Sequence, residues 1–488
     1  MRSRGAGWIL WVAIVFGLFN SNLRHADFGR VDAQIRAKQW PGLIPAIRGY
    51  CTNDGDIRRY FSYVQAALGR PYQSYFVRSA ETWREQFAAN EPYRPDELPI
   101  LTPPHPLMPY RDYLIEYPPG FFLATLPPAL LTSSPEVYTL LFQCFMGAAL
   151  TAALLLMSNA LAAAGRPIRS RALMAWGALA VFSLGIVSTH RFDAAVALNV
   201  AVMAWGLARR RPIAVGAALG VAIAIKITPL LLAPLVAMQL IRERRLRDLG
   251  KATGAAVLAI AILWVPTILT TGPRVFETLR YHADRPIQIE STWGGILGLV
   301  HAVAPGLVTV AKTFGSVNLV GPFGDLAATL SNVTLLAALA LVYAVTWRRL
   351  RNPLPGQRTM VTLEATAATF ATFMVFGKLC SPQYFVWVLP LGLALSLARR
   401  QRTTLALFIA ILVTTQVIYP VTYGLLSRLR WPVCLLVVGR NLLFLTWAIL
   451  LFRDEDSGPS SVRLPEQDEP FGIPSPILVT GARASPAR

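Results

Sequence analysis

The sequence predicts an all-α protein that crosses a membrane many times. Of its 488 residues, 54% are hydrophobic and only 15% are charged, and the mean hydropathy is +0.46. Soluble domains carry roughly a quarter charged residues, and apolar runs near the length of a bilayer crossing recur along this chain. We expect about 10–13 membrane helices, with a large polar extracytoplasmic loop, residues 22–119, between the first apolar run and the second.

The net charge of +20 does not indicate a nucleic-acid partner. The arginines fall in short clusters between apolar runs, which is typical of cytoplasmic loops in membrane proteins. The four cysteines form no CxxC pair and the histidines show no metal-ligand spacing, so we expect neither a metal nor another cofactor. No glycine-rich phosphate loop indicates a nucleotide.

The first elements are predicted from the length of each apolar run. Gly7–Phe19 follows Met1-Arg2-Ser3-Arg4 without a prompt cleavage site, so we interpret it as an uncleaved anchor with a cytoplasmic N-terminus. Phe121–Leu131 is too short to span and contains two prolines, which favours a re-entrant or interfacial segment. Membrane crossings are expected over Val137–Ala163, Arg171–Thr189 and Ala194–Leu207.

The next apolar run is predicted to turn back on itself. Pro212–Ile241 is longer than one crossing requires, yet basic clusters flank both of its ends. Both ends should therefore be cytoplasmic. Lys226-Ile227-Thr228-Pro229 lies at the middle, where proline breaks a helix. We expect two short helices with Lys226 near the outer tip.

The rest of the chain completes the membrane domain. Ala252–Leu269 leads out to a loop with Arg285 and Glu290, and Gly294–Val310 is either a partial helix or a full span. Further crossings are expected over Leu326–Trp347, Val361–Gly377, Phe385–Leu397, Leu405–Tyr419 and Leu435–Leu451. Residues 1–452 then form one membrane domain, and residues 453–488, rich in proline, serine and acidic residues, form a disordered cytoplasmic tail.

In this topology every unusual polar cluster falls on the outer side. Asp54 and Asp56 flank Gly55 before an amphipathic helix start, where one can cap the helix while the other acts as a general base. Glu116 precedes Tyr117-Pro118-Pro119, which restricts the backbone beside its carboxylate. It is a candidate catalytic residue or a charge at the membrane rim. Which acid acts as base stays open.

Three cations lie at the outer ends of apolar helices: Arg191, Lys226 and Lys378. Each could extend to the membrane surface, but an ionisable group in a membrane segment is a functional hypothesis by default. Together they could stabilise a phosphate that gains charge as a leaving group. His190 and His282 are either loop histidines with local partners or contacts to substrate.

The order and spacing of several motifs resemble the membrane glycosyltransferases of the C fold, specifically glycosyltransferase family 87. The resemblance runs from about Asp54 to Leu397. The motifs are Asp56 with Tyr60, Gly69-Arg70-Pro71-Tyr72, Glu116-Tyr117-Pro118-Pro119, Arg191-Phe192-Asp193, Gly216–Gly220, Lys226-Ile227-Thr228-Pro229, Gln288–Trp293 and Ser381-Pro382-Gln383-Tyr384. An insertion, Val77–Arg111, departs from the pattern and leaves the acceptor open.

The resemblance implies an inverting transfer of a sugar, often mannose, from a polyprenyl phosphate to a lipid or glycan acceptor. It places the general base, by position, at Asp56, with Asp54 and Glu116 as the other catalytic candidates. The candidate substrate-binding residues are His190, Arg191, Asp193, Lys226, Arg285, Glu290, Lys378, Gln383 and Tyr384. We expect an enzyme of a bacterial plasma membrane whose active site faces the extracytoplasmic side. The alternative is a transporter of polyprenyl-linked glycans, which would carry polar residues along a path through the bilayer.

Overall fold

A computed structural model of the chain describes residues 55–80, 99–351, 357–399 and 401–453, and most of these residues are helical. The α-helices are α1 (Gly55–Ala67), α2 (Phe121–Leu131), α3 (Pro135–Ala163), α4 (Ser170–Leu184), α5 (Asp193–Ala208), α6 (Pro212–Ile225), α7 (Ala233–Arg242), α8 (Leu246–Thr271), α9 (Glu277–Asp284), α10 (Thr292–Val303), α11 (Pro322–Arg349), α12 (Gln357–Phe376), α13 (Phe385–Ala398), α14 (Arg402–Gln416), α15 (Tyr423–Leu426) and α16 (Trp431–Phe452).

The other regular elements are short. Single 3₁₀ turns cover Gly185–Ser188, Thr228–Leu232, Gly272–Phe276 and Pro382–Tyr384, and a π-helical turn covers Val417–Val421. The strands are β1 (Tyr72–Gln73), β2 (Ile100–Leu101), β3 (Ile287–Gln288), β4 (Thr309–Thr313) and β5 (Ser316–Val320). Strands β1 and β2 pair antiparallel, and β5 lies between β3 and β4 with antiparallel pairing to both. The prediction of an all-α membrane protein is confirmed.

Within the described ranges, seven helical segments are long and apolar enough to cross a membrane. They are Pro135–Ala163, Ser170–Ser188, Leu246–Asp284, Pro322–Arg349, Gln357–Phe376, Arg402–Val421 and Trp431–Phe452. Six shorter apolar segments accompany them, among them Phe121–Leu131, in which two prolines lie inside the helix, and Asp193–Ala208. The anchor predicted at Gly7–Phe19 and the tail predicted beyond residue 453 lie outside the described residues.

The arginine clusters gather at one end of the bundle, which we call the arginine face and define by residues 209–211, 242–247 and 348–351. Arg209 Nη2 donates to Asn159 Oδ1 at 2.8 Å, and Arg242 Nη2 donates to the Trp347 carbonyl at 3.3 Å. Arg349 and Arg399 both donate to the Glu364 carboxylate, at 3.0 and 2.8 Å. These contacts join the ends of six helices, as the sequence predicted for loops on one side of a membrane.

The segment around Lys226 turns back as predicted. Gly216 and Gly220 of α6 face the backbone of Ala252 and Ala256 of α8 in the same order, so these two helices run parallel. Helix α7 ends just before α8 begins, and its C-terminal end therefore lies at the arginine face beside the start of α6. The chain between α6 and α7 reaches the opposite end of the bundle, which we call the cavity face and define by residues 190–193, 226–228 and 378–384.

The structure resolves the alternatives for Gly294–Val310 in favour of a partial helix. Helix α10 ends at Val303, and the chain continues into the β4–β5 hairpin. Its turn, Phe314-Gly315, has positive φ angles at both residues, 51° and 64°, and lies against the cavity. The central strand β5 is the more buried of the two, with Asn318 and Leu319 both 0% exposed.

An aromatic cluster fixes the first loop onto the bundle. Tyr60 of α1 packs edge-to-face on Tyr117, Phe121 and Phe192, with ring centroids 5.4–5.9 Å apart. Gly120 donates its backbone N–H to the Ala224 carbonyl at the end of α6, at 2.9 Å. A Cβ at Gly120 would lie 2.5 Å from that carbonyl group, so a larger residue does not fit here. The loop thus contacts the re-entrant segment through backbone alone.

Candidate active site

A cavity of about 670 Å³ lies at the cavity face. Its polar wall comes from α1, the Glu116–Pro118 segment, the end of α6, residues 285–290 and residues 378–384. Its apolar wall consists of leucines from the 3₁₀ turn Thr228–Leu232, α9 and α11, together with Phe373. Leu230 and Leu336 on this wall are 52% and 68% exposed at the outside of the bundle. The apolar wall therefore continues onto the membrane-facing surface.

Asp56 is the most accessible of the acids that sequence reasoning placed here, among those the structure describes. Its side chain is 29% exposed, compared with 3% for Glu116 and 1% for Asp193. It lies in the first turn of α1, and its Oδ2 is 2.7 Å from Arg191 Nη2. The Asp56 carboxylate therefore forms an ion pair with Arg191 at the cavity wall. Asp54, the alternative base, lies outside the described residues.

Glu116 lines the cavity but has both oxygens occupied. Its Oε1 accepts a hydrogen bond from Arg59 Nη1 and its Oε2 accepts one from the Tyr63 hydroxyl, both at 2.6 Å. Burial lowers the pKa of Arg59, but the charges of Glu116 and then Asp56 outweigh this and raise it well above its usual value. Glu116 therefore has its partners inside the protein and holds α1 in place.

Arg191 and Lys226 line the cavity, each paired with an acid. Arg191 contacts Asp56, and Lys226 Nζ donates to Asp193 Oδ1 at 2.6 Å. Asp193 also accepts from the indole N–H of Trp387 and lies beneath the cavity wall. The Lys226 ammonium sits over the rings of Phe192, Trp387 and Tyr384, at 4.8–5.3 Å from their centroids. Asp193 thus orients Lys226 and does not itself reach the cavity.

Two further cations on the wall have no carboxylate partner among the described residues. Lys378 Nζ donates to the Ala283 carbonyl at 2.6 Å, and Arg285 Nε is buried without a hydrogen-bond partner in those ranges. Burial lowers the pKa of Lys378, and the positive charge of Arg285 lowers it further. Two adjacent cations that destabilise each other are stabilised when an anion binds between them. They form the part of the cavity best suited to a phosphate.

Glu290 lies on the same wall, 2% exposed, beside two polar neighbours. Gln288 Nε2 donates to Glu290 Oε2 at 2.8 Å and to Ser381 Oγ at 3.0 Å. Gln288 Oε1 accepts from the Cys380 backbone N–H at 3.0 Å. The side chain of Gln288 therefore connects the strand β3 segment with the segment that follows α12.

The remaining candidates divide between the cavity and the layer behind it. Gln383 and Tyr384 line the cavity, and so does His282, whose Nε2 lies 3.0 Å from the Glu116 carbonyl. His190 is 1% exposed, packs against the Gln143 amide and does not line the cavity. Its predicted contact with substrate has no geometric support here. Within the described ranges, no three His, Cys, Asp or Glu side chains converge to hold a metal ion.

Sequence reasoning missed two contributors. Arg440, fully buried in α16, reaches the backbone of the Glu290 segment, and the hairpin turn Phe314-Gly315 covers the cavity beside Arg59. The signal for Arg440 was available, because it is an ionisable residue inside the apolar run Leu435–Leu451. The hairpin signal was weaker, consisting of two five-residue segments rich in Val and Thr around a glycine.

Comparison with known protein families gives a match over part of the chain. Residues 114–311 match the model of glycosyltransferase family 87. The resemblance inferred from the motifs is confirmed over this range, which contains Glu116, Arg191, Lys226, Arg285 and Glu290. Asp56 and Lys378 lie on either side of it and reach the same cavity. The match indicates a membrane glycosyltransferase. No curated protein and no solved structure matches the chain.

Proposed function

We propose that this membrane glycosyltransferase transfers a sugar, mannose or a related one, from a polyprenyl phosphate to a hydroxyl of a lipid or glycan. The observation that carries the proposal is the two-sided cavity. One wall presents acids and cations, and the other presents leucines that continue to the exposed Leu230 and Leu336. A polyprenyl-phosphate sugar has the same division, with a charged head and a long apolar chain.

The donor phosphate is assigned to the side of the cavity that holds Arg285 and Lys378. Hydrogen bonds between charged groups contribute about 1.5–3 kcal/mol each, and both cations lack a carboxylate partner among the described residues. Lys226 is the third cation on this wall, held by Asp193. As the bond between the sugar and the phosphate breaks, negative charge grows on the phosphate, and fixed cations stabilise that charge. The isoprenoid chain would follow the leucine wall to the lipid.

Asp56 is the assigned general base. In the transfer step its carboxylate accepts the proton of the acceptor hydroxyl while the hydroxyl oxygen attacks the anomeric carbon. The bond from that carbon to the phosphate oxygen breaks, and polyprenyl phosphate leaves with the bonding electrons. Attack opposite the leaving group inverts the anomeric configuration. Asp56 suits this role better than Glu116, because its side chain is 29% exposed and that of Glu116 is 3% exposed with both oxygens bonded.

The cavity face is assigned to the extracytoplasmic side. The opposite end of the bundle carries the arginine clusters, and short loops rich in Lys and Arg stay in the cytoplasm. The acceptor would then be a component of the cell envelope. A transferase accounts for the acid that lies beside the cations in this cavity.

The deciding experiment uses the purified protein in lipid nanodiscs with radiolabelled polyprenyl-phosphate mannose and a membrane lipid extract. A labelled product with inverted anomeric configuration, together with released polyprenyl phosphate, is the expected result. In sealed vesicles, movement of the labelled lipid between leaflets without any labelled product would instead establish the transporter alternative. Binding of the lipid followed by neither product nor movement would overturn the proposal for this donor.

A further inference from the structure

Glu290 has a carboxylate oxygen that the protein leaves without a donor. The residue is 2% exposed, its Oε2 is bonded to Gln288, and its Oε1 is buried with no hydrogen-bond partner among the described residues. Buried carboxylate oxygens are nearly always hydrogen-bonded, since leaving one unbonded costs free energy. Because Glu290 lines the cavity, a ligand group can supply the missing donor.

The chemistry of the wall indicates which ligand group this is. A carboxylate accepts hydrogen bonds from hydroxyls but repels a phosphate, so Glu290 does not hold the anionic part of a donor. Arg285, one of the two cations assigned to the phosphate, is close enough to affect the charge of Glu290. The group carried next to that phosphate is the sugar. A sugar hydroxyl therefore fits the position of Oε1.

A second buried residue holds Glu290 from behind. Arg440 is 0% exposed, and its Nη2 donates to the backbone carbonyl of Glu290 at 2.9 Å. Its Nε donates to Asn441 Oδ1 at 3.0 Å, and Asn441 Nδ2 donates to Thr292 Oγ1 at 3.1 Å. Arg440 Nη2 also lies 3.4 Å from Cys380 Sγ. The pair in α16 thus connects both chain segments that form this wall.

The positive charge of Arg440 also acts on the carboxylate. Burial raises the pKa of Glu290 to about 7, and the charge of Arg440, followed by that of Arg285, opposes this increase. The charged and titratable groups that act on Glu290 from the surrounding elements are Arg440, Arg285, Cys380 and Tyr423, and the neutral Gln288 acts through its hydrogen bond. Arg440 makes the largest contribution that favours the charged carboxylate. Burying an arginine costs free energy unless its charge interacts with groups around it.

We propose that Glu290 binds a hydroxyl of the transferred sugar, and that Arg440 is a positioning residue that fixes the backbone of Glu290. The inference rests on the proposed function, because it takes the ligand to be a lipid-linked sugar. It adds the position at which the sugar, as distinct from the phosphate, is recognised.

The first test compares a lipid that carries the sugar with one that does not. Affinities for polyprenyl-phosphate mannose and for polyprenyl phosphate are measured on the intact protein in nanodiscs. Glu290→Gln should weaken binding of the mannose lipid by about tenfold to a hundredfold, the range for a hydrogen bond to a charged group, and leave polyprenyl phosphate unchanged. Glu277→Gln, on the neighbouring helix α9 and off the cavity wall, is the matched control and should change neither affinity.

The second test separates positioning from structural support. For the pH series the reference lipid is polyprenyl methyl phosphate, a phosphodiester like polyprenyl-phosphate mannose, because the monoester polyprenyl phosphate itself titrates near neutral pH. Both diesters keep a single negative charge there, so the pH dependence of the ratio of their affinities reports Glu290. In the wild type the preference for the mannose lipid should fall as pH drops through about 7. Arg440→Met should move that midpoint to higher pH, whereas Arg440→Lys, which retains the charge, should not. Asn441→Asp, which neutralises Arg440 in place, should also raise the midpoint if Arg440→Met does not fold.

Three outcomes would overturn the inference. Equal weakening of both lipids in Glu290→Gln would make Glu290 a support of the phosphate site. Unchanged affinities would show no contact with the sugar. A midpoint that stays fixed in both Arg440→Met and Asn441→Asp would reduce Arg440 to a structural role. Failure of the proposed function would look different. The wild-type protein would then bind neither lipid, or would bind both lipids without transferring the sugar.

Discussion

Replacing Asp56 by asparagine tests the assignment of the general base. Asparagine keeps the shape and can still accept a hydrogen bond from Arg191, but it cannot take up a proton at working pH. Loss of a general base typically reduces turnover by about a hundredfold to ten-thousandfold. The Asp56 side chain is 29% exposed and that of Arg191 is 8% exposed, and the oxygen of asparagine still gives the guanidinium an acceptor. We therefore expect a folded protein with little turnover.

Glu116→Gln is the comparison that distinguishes a loss of turnover from a loss of folding stability. Both carboxylate oxygens of Glu116 accept hydrogen bonds at 2.6 Å. Glu116→Gln removes the negative charge beside the buried Arg59 guanidinium, and Asp56, the other acid near Arg59, lies farther away. Breaking a buried ion pair costs about 3–5 kcal/mol. Glu116→Gln should therefore lower the thermal midpoint clearly, whereas Asp56→Asn should not. Asp284→Asn, 56% exposed on the same side of the bundle, is the control that should change neither quantity.

The assay measures release of polyprenyl phosphate and, separately, donor affinity in each variant. Asp56→Asn should retain donor affinity, since the residue contacts the acceptor hydroxyl and not the phosphate. Normal turnover in this variant would refute the reasoning and move the base to another acid. A loss of donor affinity that matches the loss of turnover would also refute it, because Asp56 would then serve donor binding.

Three other predictions concern the cations and the topology. Lys226→Met should lower the free energy of unfolding by about 3–5 kcal/mol, because it leaves the buried Asp193 carboxylate without its cation. The double variant Lys226→Met with Asp193→Asn should regain stability but not turnover, as measured by thermal melts and by the turnover assay. Lys378→Met should weaken polyprenyl phosphate binding about tenfold or more, and unchanged affinity would exclude Lys378 from the phosphate site. In a cysteine-free background, Asp284→Cys should react with an impermeant reagent from outside and Arg210→Cys should not, and the reverse labelling would invert the proposed orientation.

The positions of most membrane helices could be predicted because each depends on local composition, although seven described segments are long enough to span where about 10–13 were expected. An apolar run and its flanking arginines are properties of neighbouring residues, and lipid enforces both. The break at Lys226 was predictable for the same reason, since Pro229 acts on its own helix. The observed helix, Pro322–Arg349, extends the predicted Leu326–Trp347 by four residues at its start and two at its end.

The pairing of the site residues could not be predicted, because it depends on distances across the fold. The sequence shows Arg191, Lys226 and Lys378 as equivalent cations at helix ends. In the structure Arg191 meets Asp56 from a loop far earlier in the chain, Lys226 meets Asp193, and Lys378 keeps no carboxylate partner among the described residues. Of these three cations, Lys378 is the one whose charge is not paired with a carboxylate of the described residues, so it suits a phosphate best. Arg440 was hidden for the same reason, since its partners lie about 60 and 150 residues away.

The contact of Gly120 with the end of α6 has a consequence for how the two sides of the cavity are spaced. Glu116 and its partner Arg59 belong to the first loop, whereas Lys226 directly follows α6. The loop and the end of α6 are joined by the hydrogen bond from the Gly120 N–H to the Ala224 carbonyl. Because no side chain stands between these backbones, the separation is as small as a peptide chain permits. One methyl group at Gly120 would act as a spacer that widens the gap between base and leaving group while every group facing the substrate stays the same.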